Sequence, residues 1–261
     1  MKSPKDGVQS VSRALILLQE LARSDDGLRV SDLARTTGLA VSTAHRLLTT
    51  LEQHGFAQFE PETTLWHVGR EAYAVGSAFG RRRNFVAPAL PFLKRLRDVT
   101  RETANLGILD GNQLVTISQV ESREIMRAIS NPGGQVPVFC SGMGKAIVAT
   151  WTDEDIKALA ERAGLPPMTS KSLRSMDEVF VDIHRTRERG YALDDEEHVT
   201  GLRCVAAEVW SPQGEAVCAI SVSGLAARLT DARLDSIGQQ IRKAANELTQ
   251  QLGGTPQNHS R

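Results

Sequence analysis

The stretch Arg29–Phe56, RVSDLARTTGLAVSTAHRLLTTLEQHGF, decides the N-terminal fold. Ser31 reads as the N-cap of a short helix, Asp32 sits favourably at its positive end, and Gly38 closes it with a residue that tolerates positive φ. A second helix begins near Val41 or Ser42. On a wheel of 3.6 residues per turn, Ala44, Leu47, Leu48 and Leu51 form its buried stripe. Ser42, Arg46, Thr49 and Gln53 point away from that stripe, with Thr43 and His45 on the flanks. Two helices joined by a glycine turn, the second presenting Ser, Thr, His and Arg early, make a helix-turn-helix, whose second helix enters the major groove of duplex DNA. Arg46 suits a guanine edge or a phosphate, and Ser42 and Thr43 suit a phosphate at the helix N-terminus or a base edge. The expected DNA-contacting set is Ser42, Thr43, His45, Arg46 and Thr49.

Downstream, FAQFE and TLWHV are short alternating stretches joined by the turn-like PETT, which predicts a hairpin and completes a winged helix-turn-helix. The same module could pack against a protein partner, but its polar face lies where a recognition helix needs it. Upstream, Val8, Val11, Leu15, Leu18 and Ala22 recur at helical spacing and predict the buried face of a first helix. Ile16 and Leu17 fall off that stripe and are expected to touch another element or a second subunit.

Bulk charge decides nothing, because the 261 residues sum to zero. Residues 1–83 carry 11 Lys+Arg against 9 Asp+Glu, a net +2, so the DNA reading rests on placement along one helix. No apolar run approaches the roughly 18 residues that span a bilayer. The N-terminus lacks the apolar core of a secretion signal, and Cys140, Cys204 and Cys218 are too few for a disulfide framework, so a cytoplasmic, reduced setting is expected.

The chain reads as a winged helix-turn-helix domain over 8–69, a linker helix over 70–84, a second domain over 85–252 and a flexible tail over 253–261. Arg81, Arg82 and Arg83 are read as the solvated end of the linker helix in preference to phosphate contacts. In the second domain PALPFLKRLRDVTRE predicts a helix, and TANLGILD, NQLVTISQV and EIMRAIS predict strands. Helices are expected near 153–163 and 177–189, then strands in YALDDEEHVTGLRCVAAEVW and GEAVCAISVSG, then a helix from about 230 to 252. Neighbouring strands are too close for βαβ crossovers, so the fold is α+β with an antiparallel sheet.

The stretch CSGMGKA, Cys140–Ala146, invites three chemistries. As a phosphate loop it fails, because the Walker pattern needs four residues between its first glycine and the Gly-Lys pair, with Ser or Thr following. As a nucleophile Cys140 would want a base, and nothing in the sequence brings His184 or His198 to it. A binding role accounts for more: Gly142, Met143 and Gly144 lead into a helix whose N–H groups can face an anion. Ser221 and Ser223, at period two, lie on one face of a strand, and Cys204 can add a small polarizable wall.

Together these motifs resemble the IclR (isocitrate lyase regulator) family of transcription factors, from Val8 to about Leu252. The match is carried by the winged motif and by SGMGKAIVA, RERGYALDDEEHVTGLRCVAAEV and GEAVCAISVSG. The resemblance implies a GAF-like effector-binding domain, a homodimer held partly through the DNA-binding domains, and often a homotetramer on operator DNA. It gives Ile16 and Leu17 to the subunit contact. Within the family the likeness is to regulators of allantoin, glyoxylate and β-hydroxyaspartate metabolism. That likeness implies an effector site matching Gly142, Met143, Gly144, Asp194, Leu202, Cys204, Ser221 and Ser223, with glyoxylate as ligand and pyruvate second. Met143 departs from the alanine that branch can carry, which alters the pocket. Asp194 beside an anion has to be protonated or to bind the hydroxyls of a hydrate. No cofactor, metal, membrane or enzymatic activity is expected; the rival readings are a sensor of another small carboxylate, such as an aromatic or sugar acid, and a thiol-dependent enzyme.

Overall fold

A computed structural model describes residues 8–81, 85–128 and 130–256. The chain divides into two compact units at residues 83 and 84.

The first unit contains α1 (Gln9–Leu21), α2 (Val30–Thr37), α3 (Val41–Gln53), β1 (Ala57–Glu60), β2 (Leu65–Val68) and α4 (Arg70–Arg81). Its core is Leu17, Leu21, Leu33, Ala34, Ala44, Leu48, Ala57 and Trp66. β1 and β2 pair antiparallel, from Ala57 opposite Val68 to Glu60 opposite Leu65, and form the expected wing. Gly38 ends α2 at φ 67°, as its place after the last helical residue predicts. α2 starts two residues earlier than expected. Its N-cap is Arg29 with no side-chain cap, so Ser31 lies inside the first turn, because Val30 packs on the core and draws the start back.

A larger correction concerns α1. Leu17 is fully buried, whereas Val8, Val11, Leu15 and Ile16 are exposed, Val8 at 67%. The helix carries two apolar stripes, and α2, α3 and β2 take the one through Leu17 and Leu21. Leu17 is therefore core and cannot make a subunit contact. Of the linker segment, α4 is helical to Arg81; Arg82, Arg83 and Asn84, and the side chain of Arg81, lie outside the described residues, as do residues 257–261 of the tail.

The second unit is built on an antiparallel sheet of β3 (Thr103–Asp110), β4 (Gln113–Val120), β5 (Gln135–Pro137), β6 (Ala192–Asp195), β7 (Leu202–Trp210) and β8 (Ala216–Leu225). The strand order is β5-β4-β3-β8-β7-β6. Side chains alternate across the sheet, and the alternation assigns two different jobs. Leu106, Val205, Val209, Ile220 and Val222 face α5 (Val86–Thr100) and α9 (Asp231–Gln251), and with Leu93, Ile241 and Leu248 they make the main core. At about 1.5–3 kcal/mol for each buried large aliphatic side chain, this face holds the unit together. The opposite face is small and polar. Gly107, Ala192, Ala206 and Ala219 let the short helix α6 (Gly142–Val148) lie against the sheet. A Cβ on Gly107 would come within 3.0 Å of the Met143 sulfur. α7 (Asp153–Ala163) and α8 (Met176–Arg189) pack beneath α6 through Ile156, Leu159, Val179 and Ile183.

EIMRAIS does not form the expected strand; Ile129 lies outside the described residues, and the rest is irregular chain with Ile125 97% exposed. Its apolar residues are adjacent where a one-faced strand needs them alternate, and β5 takes the free edge of β4 instead. Helix α6 begins at Gly142 with Ser141 as N-cap, so the glycines belong to the helix and not to a loop before it.

Candidate effector cleft and DNA-facing helix

On α3, Ser42, His45 and Arg46 are exposed, and Thr43 and Thr49 are half-buried beside them. Arg46 makes no ion pair among the described residues, and the α3 N-terminus has no side-chain cap, which leaves its first N–H groups open to an anion. The Thr49 hydroxyl donates to the His45 carbonyl at 3.0 Å, so toward solvent it is an acceptor. The His45 ring meets the buried wing residue Trp66 edge-on at 6.2 Å, which ties the recognition helix to the hairpin.

In the second unit a cavity of about 110 Å³ opens between the polar face of the sheet and the start of α6. Strand register sets its floor: Asp194 is opposite Cys204, Cys204 opposite Ser223, and Ser223 opposite Thr103. Directly opposed residues share a face, so these side chains form a polar row across four strands. Of the residues expected at an effector site, Met143, Asp194, Leu202, Cys204 and Ser223 line the cavity. Gly142 abuts it; a Cβ there would lie 3.0 Å from the Cys204 carbonyl oxygen and 3.3 Å from its sulfur. Gly144 is turned away, where a Cβ would collide with the Val138 carbonyl at 2.3 Å, and its N–H donates to the Ser141 hydroxyl oxygen at 3.3 Å. Ser221 is fully buried behind the row. It is not without partners: the Asn105 amide donates to both Ser221 and Ser223, at 3.2 and 3.1 Å.

Two residues of consequence are absent from the expected set. Asn105 sits inside β3 at 1% exposure, and its signal was a polar residue between Thr103 and Gly107 on one face of an otherwise apolar strand. Lys145, directly after the glycines, is fully buried. Its Nζ lies 2.6 and 2.8 Å from the Glu197 oxygens and 2.9 Å from Asp182 on α8. Burial works against its charge, but these two carboxylates outweigh burial and raise its pKa, so Lys145 stays protonated. A lone lysine in sequence carries no mark of partners 37 and 52 positions away.

The pair also organises the segment that roofs the cavity. Glu197 and His198 donate their backbone N–H groups to Asp194 Oδ1, at 2.8 and 3.4 Å, and His198 and Val199 line the opening. Burial, and next the nearby Glu197 charge, push the Asp194 carboxyl up to about 7. Burial thus favours its protonated form, which can donate a hydrogen bond.

The thiols read as inert. Burial, and then Asp194, push Cys204 up to about 11, and burial raises Cys140. Neither is a thiolate at neutral pH, so neither is an activated nucleophile. Among the described residues no cluster of His, Cys, Asp or Glu is arranged to hold a metal ion, and no helix is long and apolar enough to cross a membrane.

Comparison with known proteins agrees with this architecture. Residues 10–61 match the IclR helix-turn-helix domain, and residues 78–250 match the bacterial transcriptional regulator IclR C-terminal domain. The acetate operon repressor of Salmonella typhimurium (strain LT2) is 41% identical over 95% of this chain and 91% of its own. The regulator BhcR of Paracoccus denitrificans (strain Pd 1222) is 41% identical over 93% of this chain and 87% of its own. The crystal structure of the Thermotoga maritima IclR superposes with a TM-score of 0.80 at 26% identity, covering 94% of this chain and 98% of that one. With a recognition helix in one unit, an effector domain in the other and these matches over both, the chain belongs to the IclR family of DNA-binding transcriptional regulators and is not an enzyme.

Proposed function

We propose that this regulator is a repressor that senses a small 2-oxo acid, glyoxylate first, in the cleft over β6, β7 and β8. The observation that carries the reading is the polar row in so small a cavity. A cavity of about 110 Å³ lined by these groups is small, which suits a two- or three-carbon acid better than an aromatic one. Asp194 beside an anion ceases to be awkward because burial favours its protonated form, which can donate to an oxo oxygen, while its free lone pairs can accept from a hydrate. Repression is supported by the name of the acetate operon repressor, a relative tied to small-carboxylate metabolism.

Isothermal calorimetry of the full chain tests the ligand. Glyoxylate is expected to bind, and more tightly than pyruvate, whose methyl group meets Met143 in the narrowed cleft. Heats equal to those of buffer for both would dispose of the reading, and a preference for larger acids would replace glyoxylate with them.

The exposed apolar stripe Val8, Val11, Leu15 and Ile16 on α1 fits burial against a second copy of this chain, in place of the expected Ile16 and Leu17 contact. A dimer presents two recognition helices, and ligand binding that favours one arrangement of the effector domains changes their spacing through the linker helix. Arg46→Ala is expected to weaken operator binding about 10- to 100-fold at matched salt, with no change in thermal unfolding. Gel-shift titration at matched salt reads this, and sedimentation of the wild-type complex should find two chains or a multiple per operator. Unchanged affinity would remove Arg46 from the interface, and one chain per duplex would remove the dimer.

A further inference from the structure

Asn105 spends its whole amide on other side chains. Its Nδ2 donates to Ser221 and Ser223, at 3.2 and 3.1 Å, and its Oδ1 accepts from Gln119 Nε2 at 3.0 Å. An amide nitrogen has two hydrogens, and a hydroxyl has one hydrogen and two lone pairs. Both amide hydrogens are therefore used, and each serine oxygen is engaged as an acceptor, so each hydroxyl hydrogen is left to point onward. The Ser223 hydroxyl lines the cavity beside the Cys204 sulfur, a weak acceptor that a stronger one can displace. Gln119 on β4 meets the Asn105 oxygen as a donor, which agrees with this sense of the amide.

At the other end of the row is Asp194, two strands from Ser223, with the Lys145–Glu197 ion pair behind it. An ionised Asp194 repels a carboxylate, whereas the Ser223 end carries no charge and has a donor.

We propose that Asn105 is a positioning residue that sets the polarity of the cleft, turning the Ser223 hydroxyl into a donor for the ligand's carboxylate and leaving the oxo or hydrate end to Asp194. The proposal rests on reading the cleft as a small 2-oxo acid site. It reverses the simpler expectation that helix N–H groups take the charge and hydroxyls take the other end. It also assigns to Asn105, which lines the cavity, a part in specificity exerted through Ser223.

Calorimetry of the full chain with glyoxylate and with its uncharged amide, glyoxylamide, tests it. Wild type is expected to prefer glyoxylate by about tenfold or more, the worth of a charge-assisted hydrogen bond. Asn105→Leu, close to isosteric, should lose about tenfold or more for glyoxylate and less than about threefold for glyoxylamide, whose amide adapts to a freed hydroxyl. Parallel losses for both ligands would reduce Asn105 to a structural role and overturn the proposal. If Asn105→Leu does not fold, Gln119→Leu on half-buried β4 decides, with the same split expected at about threefold and parallel or absent effects overturning it. A wild type that binds neither ligand overturns the 2-oxo acid reading instead, which the variants cannot do.

Discussion

Lys145→Met is expected to destabilise the effector domain by about 3–5 kcal/mol, the range for removing one partner of a buried ion pair. The methionine fills a similar volume, so packing changes little and the loss is electrostatic. Lys145 is fully buried, Glu197 keeps 7% and Asp182 17% of its side-chain exposure, and the lysine is the cation between them. Without it two carboxylates face each other with little water. The damage reaches the cleft, because Glu197 also presents the N–H that Asp194 accepts. Urea unfolding of the full chain at pH 7, followed through the effector-domain transition, measures the effect. The triple variant with Glu197→Gln and Asp182→Asn should recover most of the loss, since it removes the uncompensated charge as well. A loss below about 1 kcal/mol for Lys145→Met would mean that the three groups are already neutral, and would sink the argument.

Asp194→Asn is expected to do the opposite, stabilising the protein above neutral pH. The folded carboxyl titrates at about 7, well above its ordinary value near 3.8. The folded state therefore holds a proton that the unfolded state has released between those values. Stability from this group is fully present below about pH 4, falls as pH rises toward 7, and is not regained above it. A displacement of about three pK units corresponds to about 4 kcal/mol. Asparagine keeps the Oδ1 that accepts from Glu197 and His198 and carries no charge. The variant should match wild type near pH 4 and exceed it at pH 8, with a flatter slope between. Glu197, also raised by burial against the opposing pull of Lys145, leaves part of the slope in place. Thermal unfolding across pH 4–8 reads this directly; a variant less stable than wild type at pH 8 would show that the ionised carboxylate is favoured where it lies.

Much of the architecture was legible because it is written in short-range pattern. Gly38 after a polar helix, two alternating stretches around PETT, the strand TANLGILD and the helix beginning at Asp153 all name their own conformation, since caps, turns and periodicity act within a few residues. The small and polar residues of β7 and β8 also announced a face that does not pack like a core.

What sequence could not decide was always a matter of partners. α1 has two apolar stripes of similar strength, and only the placement of α2, α3 and β2 determines that Leu17 and Leu21 go inward while Val11 and Leu15 stay out. EIMRAIS has the composition of a strand, but a strand needs an open edge, and β5 occupies it. Lys145 is an ordinary charge until α8 and the roof of the cleft bring Asp182 and Glu197 to it, and Ser221 is an unexplained buried hydroxyl until β3 sets Asn105 beside it. The sequence by itself determined the winged helix-turn-helix, the antiparallel α+β domain and the family, because backbone preference and hydrophobic period are local. The tertiary structure alone decided which face of α1 is free, what holds the cleft shut from behind and which way its hydroxyls point, because electrostatics and hydrogen bonding act between residues the chain keeps far apart.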